Sequence, residues 1–205
     1  MGTIPKDWLE EIVRAYDANA QQLGKQYRRA KERHEHPWWR HALPNPPARI
    51  LDVGAGTGLD AIWLAERGYD VVAVEPSSEM MRIGQENDGN SKVTWLSGSL
   101  PALSTIPGKL VPFDFVLCNG VLQHIPNALQ PRAVARLASM TRDNALCAVS
   151  LRLGPAPPDR PMFEIDVDQT ILLSERAGFH LEERTSMSDP LGRAEVSWLM
   201  LLLRR

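Results

Sequence analysis

Only two cysteines occur in 205 residues, Cys118 and Cys147, and both sit inside apolar runs. Isolated thiols in such runs read as buried side chains, which argues against a disulfide framework or a cysteine-based metal site. No apolar stretch approaches the roughly 18 residues needed to cross a bilayer, so no membrane span is expected. The N-terminus MGTIPKDWLEEIV has no basic stretch followed by an apolar core, so no secretory leader is expected. A cytoplasmic location follows by default. An excess of positive charge is also missing, since 23 Lys and Arg face 25 Asp and Glu for a net charge of -2. There is therefore no global basic field to attract nucleic acid, which disfavours that partner.

What the chain does have suits one folded core: 43% of its residues are hydrophobic and 23% charged. Six Trp against three Tyr and four Phe is an unusual balance, and Trp lines pockets as well as cores. Residues 1–36 read as helix, because Trp8, Ile12, Ala15, Tyr16, Asn19, Leu23 and Tyr27 recur near helical spacing. Pro37, Pro44, Pro46 and Pro47 then break the helix and stiffen the connector. The boundary is placed there, with a helical segment and connector over 1–47 and a second unit over 48–205.

From residue 49 the pattern alternates. Strand-like apolar runs at 49–53, 70–75, 92–96, 113–118 and 145–151 are separated by amphipathic stretches such as 59–67 and 132–140. Continuous apolar strands between helices predict an α/β fold, a parallel sheet covered on both faces. A helix over 169–177, ended by Gly178, precedes two more strands at 179–184 and 195–203. Seven strands suit a doubly wound, mostly parallel sheet. The tight connection 186–194, with Pro190 and Gly192, would turn the last strand antiparallel.

In such sheets ligands bind at the carboxyl ends of the strands, beside the first. Here ILDVGAGTGLDAIWLAERG orders a strand, a glycine turn and a helix. A dinucleotide fingerprint would read Gly-x-Gly-x-x-Gly and seat a pyrophosphate on the helix N-terminus. This chain instead has Gly54-x-Gly56-x-Gly58, with Asp52 two residues earlier. A carboxylate at that strand end repels a pyrophosphate and suits a ligand ammonium. Glu75, ending the second strand, can accept hydrogen bonds from both hydroxyls of a ribose. A ribose and an ammonium without phosphate describe S-adenosylmethionine.

The run Asp52-x-Gly54-x-Gly56-x-Gly58, followed by VVAVEPS with Glu75, resembles the class I S-adenosylmethionine-dependent methyltransferases. The resemblance is strong over about 48–150 and looser elsewhere. It implies that Asp52 and the turn Gly54, Ala55, Gly56, Thr57 and Gly58 hold the methionine part. Glu75 would hold the ribose, and Pro76, Ser77 and Met80 would flank the adenosine. The family usually supplies an acid after its third strand to meet the adenine amino group. This sequence reads Trp95-Leu96-Ser97-Gly98-Ser99-Leu100-Pro101, with no acid, so Gly98 stands in the expected place. Ser97, Ser99 or a backbone carbonyl must then face adenine. The stretch FDFVLCNGVLQHIP resembles the strand that borders the sulfonium, which puts Asn119, Gly120 and His124 near the methyl group.

His124 is the candidate base, since histidine titrates near neutrality. The N-terminal helix would close over the cofactor as a lid in similar enzymes. Tyr16 is the second candidate there, as a catalytic group or as a contact to the methionine carboxylate. Tyr27, Arg28 and Arg152 are the substrate-side candidates, Arg28 as a neutraliser of that carboxylate and Arg152 as a partner for an anionic acceptor. Asp189 and Arg193 in the last hairpin are weaker candidates of the same kind. His34, His36 and His41 cluster beside Trp38 and Trp39, yet no Cys or Asp completes a metal-ligand spacing, so no metal is expected.

The compact chain favours methylation of a small-molecule acceptor. The basic segment Lys25, Arg28, Arg29, Lys31, Arg33 and Arg40 keeps RNA or protein as the alternative acceptor, although Glu32 and Glu35 interrupt it. A cofactor-binding protein without activity is the third reading, and a homodimer is compatible with all three.

Overall fold

Ile50, Leu51 and Val53 are almost wholly buried, and this uninterrupted apolar run becomes a central strand of the computed structural model. The structure describes residues 7–32, 37–89 and 92–205. Helix α1 (Trp8–Glu32) is followed by β1 (Arg49–Val53), α2 (Leu59–Ala65), β2 (Asp70–Glu75), α3 (Ser78–Asp88) and β3 (Val93–Ser97). Then come β4 (Phe113–Asn119), α4 (Gln130–Met140), β5 (Thr141–Leu153), α5 (Val167–Arg176), β6 (His180–Ser188) and β7 (Ser197–Arg204). The seven strands form one sheet in the order β3-β2-β1-β4-β5-β7-β6. All neighbours pair in parallel except β7, which runs antiparallel to both β5 and β6. The expected doubly wound sheet with an antiparallel last strand is therefore present.

The pleat sorts side chains onto two faces. Leu51, Val53, Val116 and Cys118 meet Ala133, Val134 and Leu137 of α4 and Leu173 of α5 on one side. Ile50, Phe115 and Leu117 meet Ala61 and Leu64 of α2 and the ring of Trp39 on the other. Cys118 and Cys147 are free, fully buried thiols, and burial pushes both up from their ordinary values. The order of strands reverses beside β1, so the carboxyl ends of β1 and β4 open a crevice at the switch point. Helix α1 lies over α3, where Ala20 and Leu23 pack on Met80.

Two strand boundaries differ from the sequence reading. β5 begins at Thr141 rather than near 145, because Thr141 pairs with Phe113 of β4 and the Asn144 N–H donates to the Arg205 carbonyl just past β7. β6 runs on to Ser188, and its mostly exposed, charged face suits an edge strand.

Trp95 on β3 packs close to the backbone of α2 and α3. A Cβ at Gly84 would fall 2.3 Å from its ring, and one at Gly58 would fall 2.6 Å away. Alanine normally favours a helix interior over glycine by up to ~1 kcal/mol. Overpacking should win here, so Gly84→Ala is expected to destabilise the protein by about 2 kcal/mol. A lower urea midpoint at unchanged slope would report it; a midpoint equal to or above the parent's would contradict this packing argument.

Candidate active site

The turn after β1 is held by its neighbours before any ligand is considered. Gly54 and Ala55 donate their N–H groups to the Val74 carbonyl at 2.8 and 3.1 Å, tying the ends of β1 and β2 together. Gly54, Gly56 and Gly58 have φ of 70°, 57° and 74°, a left-handed path that side chains resist. A Cβ at Gly54 would come 2.5 Å from the Val121 side chain, so a residue larger than glycine would clash there. Gly58 differs from the other two. It caps α2 and faces Trp95, and it does not line the crevice.

Glu75 is 6% exposed and points at the turn. One carboxylate oxygen accepts from the Gly56 N–H at 2.7 Å and the other from the Ser77 N–H at 2.8 Å. Each oxygen keeps a lone pair for a further donor. Burial raises its pKa to about 7, against the pull of those two N–H groups. Ser77 caps α3, and Asp17 of α1 accepts from the Ser77 hydroxyl at 2.6 Å and the Glu79 N–H at 3.0 Å. The N-terminal helix is thus clamped to the Glu75 end of the crevice by Asp17, a residue the sequence reading did not single out.

Behind this turn lies a cavity of about 420 Å³. Asp52, Ala55, Gly56, Thr57, Pro76, Met80, Gly98 and Ser99 line it, as do Asn119 and Gly120 at the end of β4. Gly98 has little room for a side chain, since a Cβ there would sit 2.8 Å from the Thr105 hydroxyl. Asn119 donates to Asp60 at 3.0 Å and accepts from the Trp38 ring N–H at 3.3 Å. Trp38 and Trp39 both border the cavity, and Trp39 also packs edge-on against Trp63 in the core.

His124 and Tyr16 meet across the same cavity. The Tyr16 hydroxyl lies 2.9 Å from His124 Nε2, and His124 Nδ1 lies 3.2 Å from the Pro161 carbonyl. A carbonyl only accepts, so Nδ1 carries the proton and Nε2 accepts from Tyr16. Burial lowers the His124 pKa to about 4, leaving a neutral imidazole. Burial also holds the Tyr16 hydroxyl well above its ordinary pKa, so it stays a donor.

The remaining wall comes from the loop after β5 and the last hairpin. Arg152 and Arg160 are 6% and 8% exposed and both face the cavity. Arg160 donates to the Tyr27 hydroxyl at 3.1 Å, which brings Tyr27 to the site. Asp189 binds the Arg193 guanidinium through both oxygens at 2.8 Å and the Trp198 ring N–H at 2.9 Å. Those partners bring the Asp189 pKa down to about 2, although burial works against them.

Arg28 is not brought to the cavity. It is exposed and reaches Asn87 on α3 at 3.4 Å, because the helical phase that turns Tyr27 inward turns its neighbour out. His34 and His36 lie outside the described residues, and His41 lies 2.8 Å from Glu183 on the surface. Among the described residues no group of three His, Cys, Asp or Glu could hold a metal ion, and no helix is long and apolar enough to cross a membrane.

A family model described as a methyltransferase domain matches residues 21–167. Glycine N-methyltransferase of Mus musculus is 29% identical over 140 residues, covering 56% of this chain and 46% of that protein. Thiopurine S-methyltransferase of Stutzerimonas stutzeri is 28% identical over 160 residues, covering 70% of this chain and 67% of that protein. The match thus spans about half the length of the glycine N-methyltransferase. Among solved structures, the Burkholderia thailandensis 1,6-didemethyltoxoflavin-N1-methyltransferase, with its namesake ligand and S-adenosylhomocysteine bound, aligns at a TM-score of 0.73 and 18% identity over 100% of this chain and 92% of that one. A TehB-like S-adenosylmethionine-dependent methyltransferase of Corynebacterium glutamicum aligns at 0.69 and 15% identity over 92% and 98% of the two chains.

Proposed function

The chain belongs to the S-adenosylmethionine-dependent methyltransferases, and we propose that it methylates a small-molecule acceptor enclosed between α1 and the loop after β5. The observation that carries this reading is a single cavity shared by the glycine turn and the Tyr16–His124 pair, roofed by the N-terminal helix. The residues present fit the cofactor. Gly54 and Gly56 line the cavity with backbone, and Asp52 offers a carboxylate for an ammonium. The spare lone pairs on Glu75 suit the two ribose hydroxyls. Met80 and Pro76 form apolar walls beside it, with Gly98 and Ser99 at the adenine end.

S-adenosylmethionine supplies an electrophilic methyl group on a sulfonium, so most of the protein's task is alignment and exclusion of water. Well-oriented reactants can save about 7–11 kcal/mol of barrier. Tyr16 and His124 handle the proton. As the acceptor atom bonds to carbon, its proton passes to the Tyr16 oxygen, and the Tyr16 proton passes to His124 Nε2. The imidazolium so formed keeps its Nδ1–H on the Pro161 carbonyl.

Radiolabelled S-adenosylmethionine, incubated with the full chain and separate metabolite, RNA and protein fractions of a cell extract, tests the assignment. Label in the small-molecule fraction is expected. Label only in RNA or protein would overturn it.

A further inference from the structure

Two arginines on the acceptor side of the cavity have no carboxylate to answer them fully. Arg152 uses one N–H on the Gly154 carbonyl at 3.3 Å, and its buried Nε finds no hydrogen-bond partner. Among the described residues it makes no ion pair. Arg160 gives one N–H to Tyr27, while its buried Nε lies 3.6 Å from Asp159, beyond hydrogen-bond reach. Asp189, the acid that acts most strongly on Arg152, is already saturated by Arg193, Trp198 and the backbone N–H groups of Leu191 and Arg193. Buried guanidinium N–H groups left without acceptors are costly, and a protein retains them where a ligand completes them.

Resting on the methyltransferase reading, we infer that the acceptor is a small monocarboxylic acid. Its carboxylate is held by Arg152 and Arg160, and its apolar body lies against Trp8, Met162, Met187 and Trp198. All six residues line the cavity that Tyr16 and His124 face. The charge balance selects one negative charge rather than two. Arg193 is cancelled by Asp189, half-exposed Asp159 partly offsets Arg160, and exposed Glu195 partly offsets Arg152, which leaves a net positive charge short of two. A planar carboxylate also matches the fork of a guanidinium, with one oxygen available to each arginine. Burial, followed by the nearby Arg193, lowers the proton affinity of Arg152, as expected for a cation waiting for an anion.

The test uses the full chain saturated with S-adenosylhomocysteine and titrated with benzoate, phenylacetate, benzamide and phenyl phosphate. The carboxylates are expected to bind and to raise the melting temperature, with benzamide about 30-fold weaker than benzoate. Arg152→Met and Arg160→Met should each weaken benzoate by about 30-fold, and Arg152→Lys by less, because one point charge replaces a fork. S-adenosylhomocysteine affinity should stay within about threefold of the parent in all three variants. Equal binding of benzamide and benzoate, or tighter binding of phenyl phosphate, would overturn the inference. So would arginine variants that lose S-adenosylhomocysteine instead, since the arginines would then serve the cofactor's own carboxylate. If a methionine variant fails to fold, Arg152→Lys and the acid–amide comparison on the parent chain still decide. Failure of the parent to bind S-adenosylhomocysteine would instead strike the functional reading beneath.

Discussion

S-adenosylhomocysteine affinity is expected to rise about 100-fold as the pH goes from about 5 to about 7, and to level off above that. The cause is Glu75. Burial holds its carboxyl protonated up to about pH 7, and the Gly56 and Ser77 N–H groups only partly offset this. Two ribose hydroxyls need two acceptors, and a protonated carboxyl gives up one of them to its own O–H. Below its pKa the site must therefore release a proton to bind, at a cost of about tenfold in affinity per pH unit. Calorimetry across that range checks it. Glu75→Gln should bind more weakly at every pH, because its NH2 opposes a backbone N–H, and its profile should be flat. A parent profile that is equally flat would remove Glu75 from the ribose site.

The same carboxyl affects the free protein with a definite sign. Its folded pKa lies above the ordinary 4.5, so the native state binds more protons between 4.5 and about 7. This contribution to stability is full below 4.5 and is lost as the pH rises toward 7, amounting to about 3 kcal/mol. His124 acts in the opposite sense. Its folded pKa of about 4 lies below 6.5, so its contribution is present above 6.5 and is lost as the pH falls toward 4. The two slopes nearly cancel in the parent. Glu75→Gln should expose the His124 slope, with urea stability rising between about pH 4.5 and 6.5.

How much of this was legible from residues alone depended on whether a signal was local. β1 and β2 are continuous apolar runs, one ended by an acid and a glycine turn and the other by Glu75, so both strands could be read directly. The start of β5 could not, because Thr141 and Asn144 are tied in through backbone while the side chains from 141 to 144 carry no apolar pattern. Gly58 reads as part of the turn, yet its requirement comes from Trp95, 37 positions later in the chain. Arg160 was passed over for a related reason. It lies in a proline-rich loop with no periodicity, and only tertiary packing reveals that this arginine is buried while Arg28, on a regular helix, is not. Asp17 has no helical-phase signature of function either, because its partners, Ser77 and Glu79, belong to a different helix.

Removal of the His124 imidazole is expected to lower kcat by about 100-fold or more, the usual contribution of a positioned acid or base. His124→Ala should leave S-adenosylhomocysteine affinity within about threefold, since the imidazole faces Tyr16 and Pro161 rather than the glycine turn. Tyr16→Phe keeps the edge-on ring contact with His124 and removes only the relay hydroxyl. Its loss should be of the same order as that of His124→Ala, because without the hydroxyl no proton is relayed to His124. The free imidazole, near 4, is a poor base, and after burial the charges of Arg160 and Arg152 are what keep it there. An acceptor that brings a carboxylate to those arginines cancels their repulsion and raises the proton affinity of His124. Binding the correct acid would thus prepare the base that serves it. The acid limb of kcat should accordingly lie at higher pH than the limb set by free His124 in kcat/KM at saturating cofactor. The separation should narrow in Arg152→Met, where Arg160 still acts on His124. A His124→Ala protein retaining kcat within about threefold would show that alignment alone carries the transfer.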